Sequence, residues 1–144
     1  MLLQSSFDNQ RAGGSAGHAP LRVLLVEDSQ VLADRLRELL LGIPRVELLC
    51  TVESERDAVQ TAARLRPDLI ILDLHLAQGT GFGVMRALRD IRFHPSIIVL
   101  TTYALDEYRR AALALGASYF LEKSTEFDQL PGLIGEVTAK RLDS

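Results

Sequence analysis

Three acids, a hydroxyl and an amine stand at the ends of apolar runs in this chain, and together they could accept a phosphoryl group. LRVLLV at 21–26 is followed by Glu27 and Asp28, and DLIIL at 68–72 by Asp73. SIIVL at 96–100 is followed by Thr101, and SYFLE at 118–122 by Lys123. Mg²⁺ takes hard oxygen ligands in an octahedron and keeps several waters, so one or two carboxylates suffice to hold it. Asp28 and Asp73 are the candidate direct ligands, with Glu27 acting through water. A metal there would offset repulsion between the acids and an incoming phosphoryl group, and stabilise charge at the transferring phosphorus. Asp73 is the candidate nucleophile, forming an acyl phosphate. Lys123 would pair with a phosphoryl oxygen as a compact charge, and Thr101 would donate a hydrogen bond to another.

Taken singly, each residue has an ordinary explanation. An Asp ahead of a helix is usually a cap, a Thr in an apolar run is a strand former, and a lone Lys is a solvated charge. The combination carries the signal, because five such groups must converge to matter. They converge if the apolar runs are strands of one parallel sheet, whose carboxyl ends share the edge where ligands bind.

The pattern between the runs supports that arrangement. Ser29 can cap a helix over 30–41, in which Val31, Leu32, Leu36, Leu39 and Leu40 recur at helical spacing, before Gly42 and Pro44 end it. A second strand at 46–52 leads to a helix near 55–65 with Ala58, Val59, Ala62 and Leu65 on one face, stopped by Pro67. The loop from His75 to Gly81 precedes a helix at about 82–90, and Pro95 precedes the fourth strand. A helix at about 105–115 ends at Gly116, the fifth strand covers 118–121, and a last helix is expected near 126–141. Strict (βα)₅ alternation predicts an α/β fold, a doubly wound parallel sheet with helices on both faces.

Composition narrows the classes. The 144 residues suit one domain, and 47% hydrophobic with 24% charged residues is ordinary for a globular chain. A net charge of −3 with no standout Lys/Arg cluster argues against nucleic acid as a partner. No run approaches the roughly 18 apolar residues of a membrane span, and the N-terminus does not read as a secretory signal. A cytoplasmic location is the default expectation. Cys50, the single cysteine, sits in VELLCTV and reads as a packed thiol. Residues 1–20, with Gly13, Gly14, Ser15, Gly17 and Pro20, read as a disordered extension containing His18.

Over about residues 20–142 the chain resembles the receiver domains of bacterial two-component response regulators, of the single-domain, CheY-like type. LLVEDS at 24–29 is similar to that family's acidic-pair motif and LIILDLHLAQGTG at 69–81 to its phosphoacceptor strand and loop. IIVLTTYA at 97–104 resembles its hydroxyl strand, and GASYFLEKS at 116–124 its lysine strand. The resemblance implies a flavodoxin-like fold with strand order 2-1-3-4-5. It implies that Asp73 takes phosphate from a phosphohistidine, with Mg²⁺ held by Asp28, Asp73 and the backbone carbonyl of His75. It also implies that His75 and Tyr103 flank the path of hydrolytic water, and that Phe120 stands where receivers carry a switch aromatic. Ala77 and Ser124 depart from the family's usual prolines, and the second departure puts the usual cis peptide after the lysine in doubt.

Other readings fit less well. Gly79, Gly81 and Gly83 follow a strand, but the sixth position of a dinucleotide fingerprint is Val84. An aspartate-nucleophile phosphatase of the haloacid dehalogenase kind would want a second Asp at His75. The expected function is therefore a stand-alone receiver, not a metabolic enzyme, catalysing only its own aspartyl phosphorylation and dephosphorylation. It would be phosphorylated by a sensor histidine kinase or a histidine phosphotransfer protein. It would then act on an unidentified protein target through the face made by 105–115, 118–121 and 126–141. The alternative is a phosphorelay intermediate passing phosphate on to a histidine phosphotransfer domain. With the sequence ending at Ser144, no output domain is expected beyond the receiver at 21–142.

Overall fold

Successive side chains along the first strand, β1 (Leu21–Val26), go to opposite faces and into two different cores. Leu21, Val23 and Leu25 join one, while Leu24 and Val26 join the other. The same alternation continues in β3 (Leu69–Leu72) and β4 (Ser96–Thr101), so these strands are mostly apolar because both their faces are covered. The computed structural model describes residues 19–142. Apart from Ala19 and Pro20, the extension expected over 1–20 lies outside the described residues.

Five parallel strands lie in the order β2-β1-β3-β4-β5, with β2 at Val46–Val52 and β5 at Tyr119–Glu122. This is the expected flavodoxin-like order. Helix α1 (Gln30–Leu41) covers one face with Ala33, Leu36 and Leu40. On the other face lie α2 (Glu55–Leu65), α3 (Gly81–Asp90) and α4 (Asp106–Ala114). Ser29, Ser54 and Thr80 cap α1, α2 and α3, each accepting a hydrogen bond from a first-turn amide. The β1–β2 register slips by one between Val23 and Leu24, leaving Leu49 as a bulged residue on the edge strand. Cys50 is partly buried against the core shared with α2 and α3, as its apolar surroundings suggested.

The last helix differs from the single rod expected over 126–141. A short α5 (Lys123–Glu126) starts directly at the end of β5, a 3₁₀ turn follows at Phe127–Gln129, and α6 runs over Leu130–Leu142. Pro131 supplies the reason. It has no N–H, and its ring would clash with a helical carbonyl four residues back, so the α-helix restarts with proline in its first turn. Leu130, Ile134 and Val137 of α6 then close the core opposite α2–α4. The third strand begins one residue later than expected, because the Asp68 carboxylate itself accepts from Arg22 N at 2.8 Å. β4 extends to include Thr101, and β5 is shifted to end at Glu122. Among the described residues, no helix is long and apolar enough to cross a membrane.

Candidate functional site

The pairing of β1 with β3 and β3 with β4 sets Val26 beside Leu72 and Leu72 beside Val99. The residues that follow these positions must therefore emerge together at the carboxyl edge. Asp73 is the first residue beyond β3, its N–H donating to Val26 O at 3.0 Å, and it is buried. Glu27 is equally buried, its N–H on Val52 O at 3.0 Å. Asp28 is half-buried, and carboxylate oxygens of Glu27, Asp28 and Asp73 lie within 4.8 Å of one another.

One cation faces two of these acids. Lys123 Nζ donates to Asp73 Oδ2 at 2.9 Å and lies 3.0 Å from Glu27 Oε1. Burial acts to lower the Lys123 pKa, but the hydrogen bond and charge of Asp73, joined by Glu27, outweigh it and hold the ammonium above the usual lysine range. Burial pushes the Glu27 carboxyl up, and the charge of Asp73 adds to that, against the Ser29 amide and Lys123. Ser29 N donates to Glu27 Oε2 at 3.0 Å, so both Glu27 oxygens are occupied.

Local chemistry explains how Lys123 is aimed. The Glu122 carboxylate accepts from Ser124 Oγ, Thr125 N and Thr125 Oγ1 at 2.6–2.9 Å, while Glu126 accepts from Glu122 N at 2.9 Å. These donors hold the Glu122 carboxyl below the usual carboxylate range, the Thr125 hydroxyl first among them. Ser124 thus serves as a capping donor in this chain, and the described residues contain no cis peptide bond.

The remaining expected residues fall around this centre. Thr101 is fully buried at the end of β4, and its Oγ1 accepts from Tyr103 N at 3.2 Å, leaving its own proton to donate. His75 is exposed, its N–H 3.2 Å from Asp73 Oδ1 and its ring 5.0 Å from that of Tyr103. Phe120 is buried in the core, with the Arg109 guanidinium 4.7 Å from its ring centre and Arg109 Nη1 donating to its carbonyl at 3.3 Å. Sequence reasoning missed Arg109 and also Tyr108, which lies 5.8 Å from both His75 and Phe82. The spacing of Ala104, Tyr108, Ala112 and Leu115 marked Tyr108 as inward-facing, but nothing local marked its neighbours.

Residues 23–134 match the response regulator receiver domain family. The chain belongs to that family. It is 34% identical over 125 residues to protein-glutamate methylesterase/protein-glutamine glutaminase 5 of Myxococcus xanthus, covering 85% of this chain and 36% of that protein. A signal receiver domain from Vibrio parahaemolyticus has TM-score 0.79 and 31% identity, with 86% of this chain and 95% of that one covered. The response regulator domain of Thermotoga maritima CheB shares the fold, at TM-score 0.73 and 23% identity, over 83% of this chain and 95% of that one. The receiver spans less than half the length of the curated relatives it matches. Its acidic pocket, a set of hard oxygen donors beside one ammonium, has the chemistry that Mg²⁺ requires.

Proposed function

We propose that this receiver accepts a phosphoryl group on Asp73 from a sensor histidine kinase or histidine phosphotransfer protein. The observation that carries the reading is the Lys123–Asp73 contact at 2.9 Å beside two further acids. An Asp73 oxygen attacks phosphorus, the P–N bond of a phosphohistidine protonated on its other ring nitrogen breaks, and neutral imidazole leaves with the bonding pair. The product is an acyl phosphate on Asp73 and a free histidine on the donor.

Asp28 and Asp73, with the His75 carbonyl, are the residues that would hold Mg²⁺, and Glu27 would act through water. When bound, the ion supplies Lewis-acid stabilisation of the charge on the transferring group. Lys123 moves its hydrogen bond from the carboxylate to a phosphoryl oxygen, and Thr101 donates to another. His75 and Tyr103, in edge contact at 5.0 Å, limit the approach of water and so set the lifetime of the acyl phosphate.

Output follows from Thr101. Its movement toward phosphate draws on Tyr103 N and loosens the packing that seats Phe120 under Arg109. The α4–β5–α6 face would change with it and bind a protein target. Tyr119 lies on that face, its hydroxyl donating to Glu136 at 2.8 Å. Incubation with acetyl phosphate and Mg²⁺ tests the reading: intact mass rises by one phosphoryl group in the native chain and stays unchanged in Asp73→Asn. Equal incorporation in that variant would refute the assignment of Asp73.

A further inference from the structure

The side chain of Glu55, at the start of α2, grips the loop between Asp73 and α3. Glu55 Oε1 accepts from Thr80 N at 3.0 Å, and Glu55 N donates to Gln78 O at 3.0 Å. Ser54 and Gln78 form a parallel bridge beside these contacts, while His75 and Thr80 bridge each other in the antiparallel sense. Gly81 N closes the other side on Leu74 O at 3.0 Å. The grip on Thr80 is therefore passed across one backbone bridge to His75. That residue's N–H meets Asp73 Oδ1 at 3.2 Å, and its carbonyl is the proposed third metal ligand.

Two glycines, Gly79 in the loop and Gly83 in α3, leave the room that this side chain fills. A Cβ on Gly79 would overlap the Glu55 Cβ, and a Cβ on Gly83 would overlap the Glu55 carboxylate. Gly79 also has φ +87°, which suits glycine on its own account. Gly83 has no such need. It lies inside α3, where glycine is the poorest helix former after proline, and the missing side chain is the room that Glu55 occupies. A carboxylate is also the favourable charge at this place, the amino end of α3.

We propose that Glu55 is a positioning residue for the metal and phosphoryl site, fixing the His75 carbonyl and the Asp73 carboxylate by tying Thr80 to α2. This rests on the reading of Asp73 above, and the two fail separately. Acetyl phosphate labelling tests the nucleophile, whereas Mg²⁺ titration of the full, metal-free chain tests Glu55.

The experiment uses Glu55→Ala, Glu55→Gln, Gly83→Ala and the double variant Glu55→Ala/Gly83→Ala. Mg²⁺ affinity is read from the His75 amide resonance, and stability from urea unfolding without metal. Glu55→Ala weakens Mg²⁺ binding about tenfold, the usual effect of losing a group that orients a metal ligand. Glu55→Gln, which keeps an oxygen acceptor for Thr80 N, restores it. Gly83→Ala raises the urea midpoint less in the native background than in the Glu55→Ala background, where the added methyl meets no carboxylate. Native Mg²⁺ affinity in Glu55→Ala overturns the proposal, as does additivity of the two substitutions in stability. If Glu55→Ala fails to fold, the Mg²⁺ affinity of Gly83→Ala decides, since its methyl displaces the carboxylate. Weakened binding there supports the proposal, and unchanged binding overturns it.

Discussion

Glu27 Oε1 lies 3.0 Å from Lys123 Nζ, nearly as close as Asp73 Oδ2 at 2.9 Å. The lysine is thus shared between an acid proposed to react and an acid proposed to serve the metal. Three carboxylates against one ammonium leave an excess of negative charge in a largely buried site, an excess that a divalent cation would offset.

Removing the shared cation has a direct consequence for stability. Lys123→Ala leaves Glu27 and Asp73 buried without their partner, a loss of about 3 kcal/mol for a pair of this kind. Mg²⁺ replaces the missing charge, so the variant gains more stability from added metal than the native chain does. Urea unfolding with and without MgCl₂ measures both effects. An equal gain in the two proteins would count against the shared-cation account.

The raised Glu27 carboxyl produces a pH dependence of defined sign. Burial comes first among its causes, with the charge of Asp73 also raising it. Folded Glu27 keeps its proton at pH values where the unfolded chain has released it. Its contribution to stability is therefore full below the ordinary glutamate value of 4.5 and is lost as pH rises through the folded value. Glu27→Gln removes that segment of the curve. Metal-free urea midpoints across the acid range will decline less with rising pH in the variant, and parallel curves would sink the prediction.

Arg109 and Phe120 offer a test of the switch. Arg109→Ala removes a cation from the Phe120 ring and a donor from its carbonyl, at a cost of about 1 kcal/mol. The ring is then freer to leave the core, so the variant resembles the phosphorylated state more closely before any phosphate is added. Phe120 ring resonances recorded with and without beryllofluoride will show a smaller difference in Arg109→Ala. A difference as large as in the native chain would separate Phe120 from the switch.

Tyr103 is 57% exposed, so its loss should change stability by no more than about 0.5 kcal/mol. Its ring lies against His75 at the mouth of the site. Tyr103→Ala therefore shortens the lifetime of the acyl phosphate severalfold while leaving the fold intact. Intact-mass spectra taken after the phosphodonor is removed give the decay rate, and an unchanged rate would remove Tyr103 from the path of water.

Much of this was legible in the linear chain. Apolar runs covered on both faces, a capping residue such as Ser29, and punctuation by Pro67 and Pro95 act within a few residues, and so they specify strands and helices locally. Once (βα)₅ order is set, a parallel sheet must bring Glu27, Asp28, Asp73, Thr101 and Lys123 to one edge. Their convergence was therefore readable without coordinates. The tertiary structure alone decided which acid shares the lysine, what lies over Phe120, and that Glu55 holds the loop beyond Asp73. Those contacts join side chains on elements far apart in sequence, and their geometry depends on helix register and packing depth. No short window of residues encodes these quantities.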